Sequence, residues 1–278
     1  MIAPYLALMK LRVVELLLVT TLPALFLASD GVPDLTITLA TLIGGTLAAG
    51  AANAFNMVIE SDIDRLMSRT SKRPIVNELI SEERALVFAY LISVISLIIF
   101  WIFTNPLATG LTVAAIAFYV FGYTVGLKRR TSQNIVWGGI AGCLPVLIGW
   151  SAVTGALSWT AFWFFMVIFF WTPPHFWALA IKYRDDYAAA GIPMLPVIAT
   201  KVEVSKQSWF HTIAMIITSL LTLYSAVFPL WSYLVTLLMG IVFAWQLRDM
   251  EGNSGRIFNG SITYLSLFSI FLVIGSLR

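Results

Sequence analysis

The chain has 278 residues, 59% hydrophobic and 11% charged, with a formal net charge of +3. A soluble domain carries about 25% charged residues, so this composition excludes a water-soluble globular fold. The basic balance does not indicate nucleic-acid binding either, because the cations cluster in the loops between apolar runs.

Those runs predict nine membrane spans, at about 12–29, 36–59, 84–103, 107–127, 134–153, 159–180, 209–228, 230–247 and 257–277. Each approaches the roughly 20 apolar residues that a helix needs to cross a bilayer. Turn chemistry separates several of them, as in Asp30-Gly31-Val32-Pro33, Asn105-Pro106 and Thr154-Gly155. Met1 to Lys10 lacks the small-residue cleavage site of a signal peptide, so the first span is expected to be retained. The one cysteine, Cys143, lies in an apolar run, which excludes an intramolecular disulfide and argues against a thiol role.

Lysine and arginine fall on alternate connections. They precede span one (Lys10, Arg12) and fill the loops after span two (Arg65, Arg69, Lys72, Arg73) and span four (Lys128, Arg129, Arg130). They recur after span six (Lys182, Arg184, Lys201, Lys206) and span eight (Arg248, Arg256), and Arg278 alone is left for the opposite face. Excess cations mark the cytoplasmic side, so the expected topology is N-terminus cytoplasmic and C-terminus outside in a cell (inner) membrane. An odd number of spans is required to keep the charge one-sided. The expected fold class is therefore an all-α polytopic membrane protein, residues 1–278 forming a single intramembrane domain. Two long cytoplasmic loops, about 60–83 and 181–207, are the places to seek function.

The first loop opens with Asn56, Glu60 and Asp64, which stack at i, i+4 and i+8 if the helix continues through them, with Asn53 one turn earlier. Oxygen donors at that spacing suit a hard cation, and the bases that follow suit an anion. Asp62 and Arg65 are equally explained as a solvated helix end. The second loop follows Trp171-Thr-Pro-Pro-His175-Phe-Trp177, where paired prolines predict a kink or break in span six. Asp185 and Asp186 then read either as a metal site, with one of the pair binding directly, or as a cap balancing Lys182 and Arg184. Lys128 and Arg129 read as a phosphate clamp or as a cytoplasmic anchor. His175 and His211, the only histidines, read as substrate-facing groups or as packed and hydrogen-bonded ones.

A ligand that needs carboxylate-bound magnesium, cationic clamps and an apolar cavity at one membrane face is a polyisoprenyl diphosphate. Its departing diphosphate is stabilised by metal and bases, and a dry pocket strengthens those interactions and protects an allylic cation. The residues alone reach an intramembrane enzyme or carrier acting on an anionic lipid.

The chain resembles the UbiA-type intramembrane prenyltransferases over nearly its whole length. The resemblance rests on Lys10-Leu-Arg12-Val-Val and on Asn56-x-x-x-Glu60-x-Asp62-x-Asp64-x-x-Met67-x-Arg69-Thr70-x-x-Arg73-Pro74. It rests further on Tyr123-Thr-x-x-Leu-Lys128-Arg129-x-Thr131-x-x-Asn134-Ile, Gly149-Trp150, Trp171-Thr-Pro-Pro-His175-Phe-Trp177-Ala-Leu and Asp185-Asp186-Tyr187 with Gly191-Ile-Pro-Met-Leu-Pro196. The proline–histidine segment is similar to the haem-modifying branch of that family. The resemblance implies nine helices around a central apolar cavity open to the cytoplasmic side. It implies transfer of farnesyl from farnesyl diphosphate to a vinyl group of haem B, with water adding to leave a hydroxyethylfarnesyl chain. Haem B is then a substrate, Mg2+ the cofactor, the bilayer a partner, and a downstream haem-modifying membrane enzyme the receiver of the product. By the same resemblance Asn56, Glu60, Asp64 and Asp186 hold the metal, with Asp62 and Asp185 as further acids. Arg69, Arg73, Lys128 and Arg129 take the diphosphate, and His175 and His211 face the haem.

Two departures stand out. Glu60 replaces the usual Asp, and Ala189 and Ala190 stand where a second acid four residues after Asp185 or Asp186 is expected. The rival readings are a prenyltransferase acting on a quinone precursor such as 4-hydroxybenzoate, a lipid or solute carrier, and a scaffold subunit of a respiratory assembly.

Overall fold

The computed structural model describes residues 2–277; Met1 and Arg278, the latter invoked in the charge argument, lie outside the described residues. Fourteen α-helices follow in chain order: α1 Ala3–Met9, α2 Leu11–Ser29, α3 Leu35–Ile59, α4 Ser61–Leu66 and α5 Glu82–Phe103. Next come α6 Pro106–Ala117, α7 Asn134–Gly138, α8 Ile140–Thr154 and α9 Trp159–Lys182. The chain ends with α10 Arg184–Ala189, α11 Leu195–Ile198, α12 Lys201–Ser225, α13 Leu230–Gln246 and α14 Ser254–Ser276. Among the described residues, eight helical stretches are long and apolar enough to span a membrane. The ninth expected span lies in α12, whose 25 residues reach about 37 Å at 1.5 Å per residue. It falls short on composition, because its first two turns carry Lys201, Glu203 and Lys206 and its buried side is rich in Ser and Thr.

Local chemistry sets the helix starts. Asp34, Ser81, Asn105, Ser158 and Thr200 each accept a backbone N–H of their helix's first turn through the side chain. Three departures from the sequence reading follow from local constraints. The short α1 was not expected; it is closed by Lys10 in the left-handed region, at φ 51°. Its Met9 side chain packs on α3 where Gly50 leaves room for it. Span six is not broken: α9 runs through Pro173 and Pro174 without interruption, because packing on α12 and α14 holds the segment that the prolines deprive of hydrogen bonds. Span four changes character at Phe118, where α6 passes into a π-helical segment, Phe118–Leu127.

The long helices close into a ring. In order around it are α2, α3, α5, α6, α8, α9, α12, α13 and α14, which returns to α2. Helices α2 and α8 also touch directly across the ring, where Gly149 lies so close that a Cβ would stand 3.0 Å from the Thr21 carbonyl. The largest apolar core fills the half built from α8, α9, α12, α13 and α14, around Phe164, Trp177, Met215 and Phe268. Bulky apolar side chains such as Leu91, Trp101, Phe121, Leu238 and Ile274 point outward, as a lipid-facing surface requires.

All the polar segments meet at one end of the ring, as the one-sided charge predicts. Side-chain bonds there join the α1–α2 corner, the loop after α3, the segment after α6 and the loops after α9 and α13. The opposite end has only short connections. Two cavities, of about 520 and 320 Å³, lie against α1 and α5 and beneath the loop 65–82. The apolar cavity expected beneath the acids is neither of these; Asn56, Glu60 and Asp64 line neither one.

Candidate active site

Helix α3 ends at Ile59, but its register survives the bend. Glu60 N–H donates to the Asn56 carbonyl at 3.0 Å, and Asp64 N–H to the Glu60 carbonyl at 2.9 Å. The i, i+4, i+8 alignment is thereby kept through the junction with α4. All three side chains face inward, with Asn56 2%, Glu60 1% and Asp64 2% exposed. Buried ionised acids need partners, and each finds a base or a base's neighbour. Lys128 Nζ donates to both Glu60 oxygens at 2.6 Å. Arg73 donates a short bond to Asp64 Oδ2. Lys10 Nζ donates to Asn56 Oδ1 at 2.7 Å.

The π-helical segment explains how Lys128 arrives. Tyr119 Oη meets Asn53 at 3.4 Å, the Asn56 amide donates to Thr124 at 3.2 Å, and Lys128 meets Glu60. Nine residues from Tyr119 to Lys128 keep pace with seven from Asn53 to Glu60, because the wider π turn rises more slowly per residue than an α turn. Its i→i−5 closure is seen in Lys128 N–H bonding the Tyr123 carbonyl at 2.9 Å. A regular α-helix would carry Lys128 past Glu60. The Tyr123 ring needs the bare backbone of Gly138, where a Cβ would stand 2.2 Å from it. The Lys128 carbonyl in turn takes the Asn134 amide at 3.1 Å.

The electrostatics follow from this packing. Burial alone pushes the Glu60 carboxyl up, but the Lys128 ammonium, with Lys10 and Arg73 behind it, overrides that and leaves it below its ordinary value. Burial, then the neighbouring Arg73 and Lys128, push the Lys10 ammonium well below the usual lysine range.

The other expected residues sit differently. Asp62 is exposed and pairs with Arg129 through two bonds, at 2.8 and 2.9 Å, while Arg129 also reaches the Ile59 carbonyl at 3.3 Å. That bond holds the Asp62 carboxyl below its usual range. Asp186 is not gathered with the three buried donors: it accepts from Ser68 Oγ at 2.7 Å and Arg69 N–H at 3.2 Å, tying the second loop to the first. Asp185 is exposed. The Arg69 guanidinium lies 5.8 Å over the Tyr183 ring and 3.5 Å from the Tyr187 hydroxyl. His175 is buried between α9 and α14, and His211 on α12 donates from Nδ1 to the Gln207 carbonyl.

No three of His, Cys, Asp and Glu gather into a metal-holding cluster among the described residues. In their place are two acids and an amide, all oxygen donors, matched one to one with three cations. The donor set fits a hard cation such as Mg2+, which takes carboxylate and carbonyl oxygens. The freed cations fit phosphate oxygens. Sequence reasoning gave Lys10 no role, although it lies in the first of the matching motifs. Thr124 and Tyr119 were missed because their contribution depends on the π-helical register.

A family model described as "UbiA prenyltransferase family" matches residues 17–273. A relative from Frankia casuarinae, "Protoheme IX farnesyltransferase", is 49% identical over 288 residues, covering 98% of this chain and 97% of the relative. One of the same description from Streptomyces avermitilis is 46% identical over 282 residues, covering 97% and 92%. Among solved structures, one described as digeranylgeranylglyceryl phosphate synthase in membranes superposes with a TM-score of 0.81 at 14% identity, covering 99% of this chain and 98% of that one. A UbiA homolog from Archaeoglobus fulgidus, bound to GPP and Mg2+, gives 0.70 at 16% identity over 98% and 99%.

Proposed function

Since the chain belongs to the UbiA prenyltransferase family, we propose that it transfers farnesyl from farnesyl diphosphate to a vinyl group of haem B, acting as one domain over residues 1–278. It is an integral multi-pass membrane protein and a prenyltransferase. The relatives' description, protoheme IX farnesyltransferase, supports haem as the acceptor over a quinone precursor. The one-sided cations support a cell-membrane topology with the acid end cytoplasmic.

The observation that carries the mechanism is the buried match of Asn56, Glu60 and Asp64 with Lys10, Lys128 and Arg73. Asn56, Glu60 and Asp64 would hold Mg2+, which when bound neutralises the charge of the diphosphate and of its departure. Lys128, Arg73 and Lys10 then exchange their carboxylate and amide partners for phosphate oxygens. Arg69 and Arg129 complete the anion's surroundings, and Asp186 holds the Arg69 backbone in place. The bond from farnesyl C1 to the bridging oxygen breaks and diphosphate leaves with the electron pair. The haem vinyl π-bond attacks C1, and water adds to the resulting carbocation with loss of one proton. No strong protein base is needed, because the π-bond is itself the nucleophile. Burial of the acids withholds bulk water until the acceptor is in place. A membrane enzyme that modifies haem further is the consumer of the product.

The test is purified protein in nanodiscs with labelled farnesyl diphosphate, Mg2+ and either haem B or 4-hydroxybenzoate. Label is expected in haem alone, and both Asp64→Ala and chelation of the metal abolish it. Label in the hydroxybenzoate, or binding without release of diphosphate, overturns the assignment.

A further inference from the structure

We propose that Ser261 on α14 is a positioning residue that fixes the tautomer and orientation of His175, so that Nε2 of His175 is the atom offered to the iron of the haem substrate. This rests on haem B being the acceptor.

The tautomer follows from counting protons. The Ser261 hydroxyl has one hydrogen, and Oγ donates it to the Phe258 carbonyl at 2.7 Å. In the proposed arrangement the same oxygen accepts from His175 Nδ1, 2.8 Å away. Nδ1 then carries the ring's hydrogen, and Nε2 of the neutral imidazole keeps its lone pair. Metal-binding histidines show the same division of labour: one nitrogen donates to a fixed protein acceptor while the other coordinates.

The ring is also held in place. Trp171 stacks on it at 4.3 Å and 19°, and Phe258 stacks at 4.5 Å and 25°. Trp171 is itself anchored by Nε1–H donating to the Ser261 carbonyl at 2.7 Å. One residue on α14 thus secures both the histidine and one of the rings that sandwich it. Both faces are thus covered and Phe176 packs edge to face at 5.2 Å and 87°; in-plane approach to the nitrogen lone pair is what an iron ligand requires.

A packed core histidine is the plainer account, and His211 illustrates it. Its Nδ1 donates to the carbonyl of Gln207, one turn back in its own helix, and its aromatic neighbours Trp177 and Phe210 meet it edge to face. Its hydrogen bond stays within its own helix. His175 is held instead by a residue 86 positions away, on another helix.

The experiment is a titration of ferric haem B into the full-length protein in nanodiscs, read by the Soret band and the Kd. Wild type is expected to shift the Soret band from its position for free haem. His175→Ala is expected to lose that shift, and added imidazole is expected to restore it. Ser261→Ala should weaken haem binding by about 10- to 100-fold, the usual effect of removing a ligand's supporting partner, in protein that still melts cooperatively. Ser261→Thr, which keeps the hydroxyl, should recover the affinity. A Soret shift and Kd unchanged in His175→Ala, or full affinity in Ser261→Ala, overturns the proposal while leaving the acceptor assignment standing. A wild-type protein that leaves the haem spectrum unaltered overturns both.

Discussion

Replacing Lys128 with methionine isolates the electrostatic core of the site. Lys128 Nζ lies 2.6 Å from both oxygens of Glu60, and the two side chains are 13% and 1% exposed. Removing one partner of a buried pair costs about 3–5 kcal/mol, because the remaining charge stays desolvated and uncompensated. Lys10 and Arg73 also act on Glu60, so the lower end, about 3 kcal/mol, is expected here at neutral pH. At lower pH the deficit should shrink, since burial without Lys128 raises the Glu60 carboxyl and the neutral acid removes the penalty. Mg2+ has the opposite consequence in the two proteins. In wild type it must displace Lys128 from Glu60; in Lys128→Met it meets a free carboxylate. The variant should therefore bind Mg2+ or Mn2+ alone more tightly, by up to about 100-fold if the full 3 kcal/mol is recovered, and bind the diphosphate more weakly. Thermal melting in detergent at pH 7 and pH 5, with and without Mg2+, reads the first effect, and Mn2+ titration reads the second. A variant that melts with wild type at both pH values and ignores Mg2+ would refute the reasoning.

Asp62 and Arg129 form an exposed pair, so Asp62→Ala should cost under about 1 kcal/mol and leave farnesyl transfer within a few-fold of wild type, measured by melting and turnover. Gly138→Ala places a Cβ against the Tyr123 ring; overpacking of this kind costs about 1–3 kcal/mol, and the displaced π-helical segment should lower turnover, which Gly138→Ser should lower further. The Asp186 carboxyl is held below its usual range by the Ser68 hydroxyl and then the Arg69 backbone. A depressed carboxyl stabilises above its unfolded value, about 3.9, and that contribution is lost as pH falls through the folded value. Asp186→Ala should therefore speed proteolysis of the loop 67–80 at neutral pH, and acidification should erase the difference from wild type.

The spans were legible because hydropathy and the positive-inside bias act on the chain locally, one segment at a time. Eight of the nine stretches are recovered almost residue for residue. The ninth, read from its apolar run at about 209–228, falls on the longer α12, Lys201–Ser225, whose charged first turns lie outside that run. The common face of Asn56, Glu60 and Asp64 was legible for the same reason: helical periodicity alone aligns them, and the structure buries all three. The continuous course of α9 through two prolines was not legible, since only the packing on α12 and α14 decides whether proline interrupts a helix.

The sequence by itself therefore determined that this is a bundle of membrane helices with acids and bases at one end. The tertiary structure decided which base meets which acid. Lys10 and Asn56 are 46 positions apart, Glu60 and Lys128 are 68 apart, and His175 and Ser261 are 86 apart. Hydropathy and periodicity carry no information about such pairs, because each depends on helix order around the ring and on the local pitch of a single segment.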